Sequence, residues 1–414
     1  MTLDLRAPDF PASPTKDQGT LRTTNSTLTG QNAMGEWLVH PVGAPLFVEL
    51  LAQHGLEALQ LGLGLGRPLI ELGQLTNGRI PASAIDDMLQ VATEKLVAES
   101  FGTPGEEGVF LPVPVRKEMT LDEIQIRDPF ILSDSTTSTY YLYGSTDKNV
   151  WSGAGTGFDT YRSGDLVYWE GPFAAFRPPS AFWSRGMYWA PEVHEYQDHW
   201  YMFATFTALN GHRGTQVLIA DHPLGPFEPW SDGPVTPHKW QCLDGTFFLD
   251  SGQPWIVYCH EWTQIHDGAM YAQRLSADLR CPEGAPVFLF SASDADWSRP
   301  MQGLPPSFIF PAHVTDGPSL FRLDNGHLMM LWSSFGEHGY AMGIAHSTSG
   351  NLEGPWIQEQ DALWSEDGGH GMIFRPHDGG LALTLHQPNN TPHERATIWM
   401  LAEHERTVSL ERRR

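Results

Sequence analysis

Five polar residues head similar short phrases in this chain. They are Asp128 in Asp-Pro-Phe-Ile-Leu, Glu192 in Glu-Val-His-Glu-Tyr, Asp244 in Asp-Gly-Thr-Phe-Phe-Leu, Asp316 in Asp-Gly-Pro-Ser-Leu-Phe and His370 in His-Gly-Met-Ile-Phe. Carboxyls and imidazoles are the side chains best suited to moving protons near neutral pH. Carboxyls brought together divide that work. A neighbouring negative charge disfavours ionisation, so one stays a base while another is kept protonated as an acid. A sixth group, Glu261 in Cys259-His260-Glu261-Trp262, sits beside a Trp, a setting that desolvates a carboxyl and raises its pKa. His260 alternates to the opposite face of the same strand and reads as structural.

The elements that must position these groups are legible from repetition. Each phrase runs into a turn with an acidic residue (Asp134, Asp198, Asp250, Asp324, Asp378) and then into a second apolar run, such as Tyr140-Tyr-Leu-Tyr or Trp255-Ile-Val-Tyr. Asn325-Gly326 and Asp378-Gly379 are strong hairpin signals, because Gly accepts positive φ cheaply. Third strands follow at Val217, Met270 and Met342, and Gly171-Pro-Phe, Gly225-Pro-Phe and Gly354-Pro-Trp close three of the units. Repeats of roughly 40–50 residues with four strands each mark propeller blades, and these are somewhat longer. The fold class is therefore all-β, a five-bladed β-propeller over residues 113–414 with a small helical segment in front. The first strand of a blade is innermost, so Asp128, Glu192, Asp244, Asp316 and His370 are expected at equivalent positions around one mouth of the axial channel.

Ahead of the propeller, residues 1–32 read as a flexible arm and 33–112 as a small helical domain with a Gly- and acid-rich linker, Gly102 to Gly108. Leu46-Phe-Val-Glu-Leu-Leu and Met88-Leu-Gln-Val-Ala-Thr-Glu-Lys-Leu-Val have helical spacing, and Pro68-Leu-Ile-Glu-Leu suggests a short third helix. A plain packing role for this segment is favoured over a rim to the site. The formal net charge of −24 argues against nucleic acid and against an anionic membrane as partners. No apolar run has transmembrane length. The N-terminus lacks the apolar core of a secretory signal, and Cys242, Cys259 and Cys281 lack metal-type spacing. A cytoplasmic location is expected. The 15 Trp and 21 Phe suit a carbohydrate-facing β protein, since aromatic rings stack on sugar C–H faces.

Ile126-Arg-Asp-Pro-Phe130, Tyr188-Trp-Ala-Pro-Glu192, Leu243-Asp-Gly245 and Thr315-Asp-Gly-Pro318 together resemble glycoside hydrolase family 43, with Tyr161-Arg-Ser-Gly-Asp-Leu-Val-Tyr-Trp169 and Gly368-Gly-His-Gly-Met372 adding to the likeness. It covers about residues 113–414. It implies a five-bladed propeller that hydrolyses glycosidic bonds with inversion, by two carboxyl groups roughly 6.5–9.5 Å apart with a water between them. Asp128 takes the position of the family's general base, and Asp244 that of the aspartate that orients the acid and raises its pKa. The family's acid is normally a glutamate before Gly-Pro. Here Asp316 stands there, one methylene shorter, and Glu261 is its rival for the role. The resemblance also implies a possible calcium ion at the axis, faced through water by His370; a metal-free contact between His370 and a carboxylate is the alternative. No organic cofactor is expected.

Glu192, Trp151, Trp183 and His386 are candidate substrate-binding residues; packing roles stay open for each. Arg127 reads as a brace for its blade. The leading activity is an exo-acting, inverting hydrolase of a furanose or pentopyranose end unit, an α-L-arabinofuranosidase or β-xylosidase on plant-type glycans. An exo-β-galactanase or galactofuranosidase of the same fold, and a non-catalytic sugar-binding propeller in which the change to Asp316 marks lost chemistry, are the alternatives.

Overall fold

The structure is a computed structural model that describes residues 28–100, 114–302 and 310–414. The expected arm up to residue 27 and the linker around Gly102–Gly108 lie outside the described residues. The strands form five antiparallel sheets, each built from consecutive segments of chain. The inner strands are Arg127–Asp134, Ser184–Tyr196, Cys242–Asp250, Asp316–Arg322 and Gly369–Phe374, and each pairs outward with the strand that follows it. The first sheet carries an extra outer strand, Arg116–Met119. The result is the expected five-bladed propeller.

The ring closes between the first and last blades through side chains and loops. Ile126 N–H donates to the Glu394 carbonyl at 3.4 Å, and the Arg127 guanidinium donates to Asn389 Oδ1 at 2.7 Å. Arg127 thus braces the seam. Between blades the apolar faces interdigitate. Phe158, Phe176, Tyr188 and Phe206 form a buried aromatic nest between the first two, with ring centroids 5.0–6.4 Å apart. Phe227, from the second Gly-Pro-aromatic phrase, is buried in the same core.

The helical segment comprises Met34–Val39, Gly43–Gln53, Ala58–Gly66, Leu69–Glu71, Leu72–Leu75 and Ala82–Ser100. The apolar stripes read from the sequence do pack. Trp37, Phe47, Leu51, Leu69, Leu72 and Ile80 are buried in one cluster that also takes in Val150, Met187, Trp189 and Ala190 from the propeller. Each fully buried Leu or Phe contributes about 1.5–3 kcal/mol. The segment is therefore docked on the blades. Gly35 lies against the Leu209 carbonyl with no room for a Cβ, and a Cβ at Gly66 would come 2.7 Å from the Asn210 carbonyl oxygen.

Every inner strand has a bulge, near its start in all but the second, where it lies mid-strand. The register slips between Arg127 and Phe130, Trp189 and Glu192, Leu243 and Thr246, Asp316 and Ser319, and Gly369 and Met372. In each bulge one residue has positive φ: Asp128 (53°), Ala190 (46°), Asp244 (55°), Gly317 (51°) and His370 (46°). Those five are the true equivalents. The expected set is thus corrected at two blades. Asp316 stands one residue before its bulge residue, paired with Ser333 as Arg127 is paired with Ser145. Glu192 stands two residues after Ala190, paired with Phe203 as Phe130 is with Tyr143.

Candidate active site

A bulge takes the N–H of its positive-φ residue out of the strand ladder, and a buried N–H needs another acceptor. The second strand of the preceding blade supplies it. Ala190 N–H donates to Ser145 Oγ (2.8 Å), Asp244 N–H to Thr205 Oγ1 (2.8 Å), His370 N–H to Ser333 Oγ (2.8 Å) and Asp128 N–H to His386 Nδ1 (3.2 Å). The fourth blade differs. The register position that would serve Gly317 holds Cys259, and the Gly317 N–H donates instead to Asp244 Oδ2 at 3.0 Å. A carboxylate of one blade is thereby tied to the bulge that carries Asp316. Glycine at 317 also leaves room for the His370 ring, since a Cβ there would come 2.6 Å from Cδ2.

Three of the positive-φ side chains, Asp128, Asp244 and His370, meet on the axis. His370 Nδ1 lies 3.1 Å from Asp128 Oδ1 and 3.6 Å from Asp244 Oδ2. Asp128 Oδ2 accepts from Ser145 Oγ at 2.7 Å. Asp316 Oδ2 accepts from the Tyr340 hydroxyl at 2.9 Å, and the Tyr340 ring stacks on His386, centroids 5.7 Å apart. Asp128, Asp244 and Asp316 all line the cavity above, the Asp128 side chain 10% and the Asp244 side chain 6% exposed.

The electrostatics separate the carboxyls. Burial acts to raise the Asp128 pKa, but the His370 charge and hydrogen bond, with the Arg127 charge, outweigh it and hold the group well below the usual carboxylate range. Burial pushes Asp244 up to about 8; the charges of Asp316 and Asp128 add to this, against His370 and the Gly317 amide. Burial also raises Asp316 to about 6, opposed by His370 and the Tyr340 hydroxyl and helped by the charges of Asp128 and Glu261. For His370 burial disfavours the cation, but Asp128, Asp244 and Asp316 outweigh it and lift the pKa to about 10. His386 goes the other way, down to about 3, because burial and the Arg127 charge disfavour a second proton. It is a neutral acceptor for the Asp128 amide.

Above this cluster is a cavity of about 560 Å³. Arg127, Trp151, Trp189, Glu261, Trp262, Tyr340 and Asn389 are among its walls, together with Val48, Ala52 and Leu56–Leu59 of the helical segment. The segment is thus a rim to the site, contrary to the packing role favoured by its sequence. Glu261 is 1% exposed and gives both oxygens to Arg213 Nη1, at 2.5 and 2.6 Å. Arg213 in turn lies 4.3 Å from the Trp189 ring centroid. Glu261 is therefore placed as the counter-ion that seats an arginine under an aromatic wall. Trp151 is 39% exposed at the mouth, its indole N–H donating to Thr391 Oγ1 at 2.9 Å.

Three substrate-binding candidates fall outside this cavity, the first being His386, which is fully buried as the acceptor for the Asp128 amide. Trp183 donates to Gln216 Oε1 at 2.6 Å and packs against Phe182 and Phe206 in the nest between blades. Glu192 contacts His194 Nε2 at 3.3 Å, and His194 lines a different cavity, one that also holds Phe130, Phe247 and His377. The bulge at Ala190 is the reason: two residues further along, the side chain no longer reaches the carboxyl cluster. His260 is structural as expected, stacked on Trp240 at 4.3 Å. The donor set does not favour a directly held axial cation. His370 Nδ1 is taken up by the Asp128 and Asp244 carboxylates, and among the described residues no group of three or more His, Cys, Asp or Glu is arranged to hold a metal ion.

Sequence reasoning missed Tyr340, Arg213, Ser145 and the helical wall. Trp189 was in view as part of Tyr188-Trp-Ala-Pro, and aligning the bulges would have pointed to it. Nothing local marks Arg213 or Tyr340.

Residues 123–406 match the model for glycosyl hydrolases family 43. Over 261 residues the chain is 23% identical to alpha-L-arabinofuranosidase 43 of Humicola insolens, which covers 54% of this chain and 51% of that protein. The chain thus spans about half the length of the curated relative it matches. The solved endo-arabinase from Bacteroides thetaiotaomicron VPI-5482 is 40% identical, with a TM-score of 0.64 over 70% of this chain and 99% of that one. The alpha-L-arabinofuranosidase from Lactobacillus brevis is 18% identical, with a TM-score of 0.55 over 68% of this chain and 92% of that one, a likeness of fold. The family model takes in every inner strand that bears a cluster carboxyl, and the chain belongs to glycosyl hydrolases family 43.

Proposed function

We propose that the chain removes terminal α-L-arabinofuranosyl units from short glycans by single-displacement inversion, with β-D-xylosyl units as the second choice. The coarser statement, inverting hydrolysis of an O-glycosidic bond, comes with the family. The observation that carries the finer assignment of roles is the pairing of Asp128 and Asp316. Both line the cavity, and their surroundings drive them apart, Asp128 well down and Asp316 up to about 6.

In this reading Asp128 takes a proton from a water as that water attacks the anomeric carbon. Asp316 gives its proton to the leaving oxygen as the glycosidic C–O bond breaks. Asp244 is coupled to Asp316 by like charge, so that the two do not readily ionise together, and it orients the acid's strand through the Gly317 amide. His370 keeps Asp128 ionised. Arabinofuranose is favoured because the two relatives with the strongest claims, the Humicola enzyme and the 40% identical endo-arabinase, bear arabinose-directed names. Exo action is supported by the helical segment. It sits on the loops of the first three blades, through Leu38 on Gly153, Gly35 on Leu209 and Gly62 on Thr263, and walls that half of the mouth.

The test follows hydrolysis of linear arabino-oligosaccharides and of 4-nitrophenyl α-L-arabinofuranoside by NMR. The reading expects arabinose, released as the β-anomer, and the substrate shortened by one unit as the initial products. Initial release of the α-anomer would refute inversion, and internal cleavage would refute the exo mode.

A further inference from the structure

We infer that the helical wall is an apolar leaving-group subsite, which selects glycosides whose aglycone has an aliphatic or aromatic body. The inference rests on the exo reading above, because in a walled pit the terminal sugar sits at the carboxyl cluster and the rest of the substrate rises past the rim. The rim contributed by the segment is Val48, Ala52, Leu56, Glu57, Ala58 and Leu59. Apart from Glu57 these side chains offer no hydrogen-bonding group. Val48 is 37% exposed and Trp151 is 39% exposed, and both line the same cavity, so they present apolar surface to whatever enters it. A sugar packed against the segment's side of the rim would find Glu57 alone there to replace the water lost from its hydroxyls. An alkyl or aryl group would instead bury surface against the wall. The matched family range starts at residue 123, so this wall is not part of the family's common propeller.

The test uses methyl and hexyl α-L-arabinofuranosides, whose alkoxide leaving groups are similarly basic. Chemistry is thereby held constant while apolar length changes. Burying two or more methylenes raises kcat/KM for the hexyl compound on the order of tenfold or more over the methyl compound. Val48→Asp, and separately Ala52→Asp, puts a charge on an exposed wall position and brings that ratio towards unity; the second variant guards against a folding defect in the first. Direct binding of both glycosides by calorimetry is measured alongside. Hydrolysis of both without preference, or a preference untouched by both variants, overturns the wall and leaves the hydrolase reading standing. Tighter binding of the hexyl compound, lost in the variants, with no turnover sinks the hydrolase reading and upholds the wall. Neither binding nor turnover overturns both.

Discussion

Replacing each rival acid by its amide separates chemistry from scaffolding. Asp316→Asn removes the proton donor while keeping the shape and an acceptor for the Tyr340 hydroxyl. General acid catalysis is worth about 10²–10⁴-fold, so kcat on an unactivated arabinofuranoside should fall by about that much. The loss should shrink sharply on a dinitrophenyl glycoside, whose leaving group needs no proton. The alkaline limb of the pH profile should vanish with it. Thermal stability should hold or rise, because a buried, mutually repelling carboxyl has been neutralised. Glu261→Gln does something else. It strips a charge partner from Arg213, which is 1% exposed, and breaking one side of a buried pair costs about 3–5 kcal/mol. Its signature is a lower melting temperature and a raised KM through the Trp189 wall, with the leaving-group dependence unchanged. The assay is a comparison of kcat on activated and unactivated substrates for wild type and both variants, with melting curves. If Glu261→Gln shows the leaving-group-dependent loss and Asp316→Asn does not, the assignment of the acid is wrong.

Three other perturbations follow from the same geometry. Asp244→Asn removes the carboxyl coupled to Asp316, so the alkaline limb of kcat/KM, spread between about pH 6 and 8 for the coupled pair, should sharpen to one ionisation at the lower end of that range, and a limb displaced upward would contradict the coupling. Ser333→Ala orphans the His370 N–H and should cost about 1–3 kcal/mol, whereas Cys259→Ala should cost only its packing, because Asp244 already serves the fourth bulge; equal losses by denaturant melts would show that the side-chain acceptors do not support the bulges. Gly35→Ala drives a methyl into the Leu209 carbonyl and should loosen the helical wall, seen as faster proteolysis between residues 28 and 100 and a higher KM, with kcat on methyl arabinofuranoside little changed; unchanged proteolysis would show that the segment is not seated through that contact.

Much of the fold was legible because a propeller is periodic. Alternating apolar runs, Asp-Gly and Asn-Gly turns and a repeating lead residue are local signals, and five copies in order leave few other architectures. Asp128, Asp244 and His370 were placed correctly at the axis for the same reason. Glu192 and Asp316 were put in register with them by their motifs, and the backbone shows otherwise. A bulge shifts a side chain by one or two residues without leaving a composition signal, so its place is fixed only when strands pair. Glu261 illustrates the other limit: beside Trp262 it looked like a desolvated acid, but its partner Arg213 comes from a neighbouring blade, 48 residues away in sequence. The helical stripes told that the front segment packs, but not on what; that depended on glycines at 35 and 66 meeting carbonyls of a distant hairpin. What the chain encodes by itself is therefore the repeat and the inventory of proton-carrying groups. Which of those groups are ionised, which are spent on a partner and which side of the mouth is walled were decided only by tertiary contacts, because charge and solvent exposure depend on neighbours that sequence distance does not reveal.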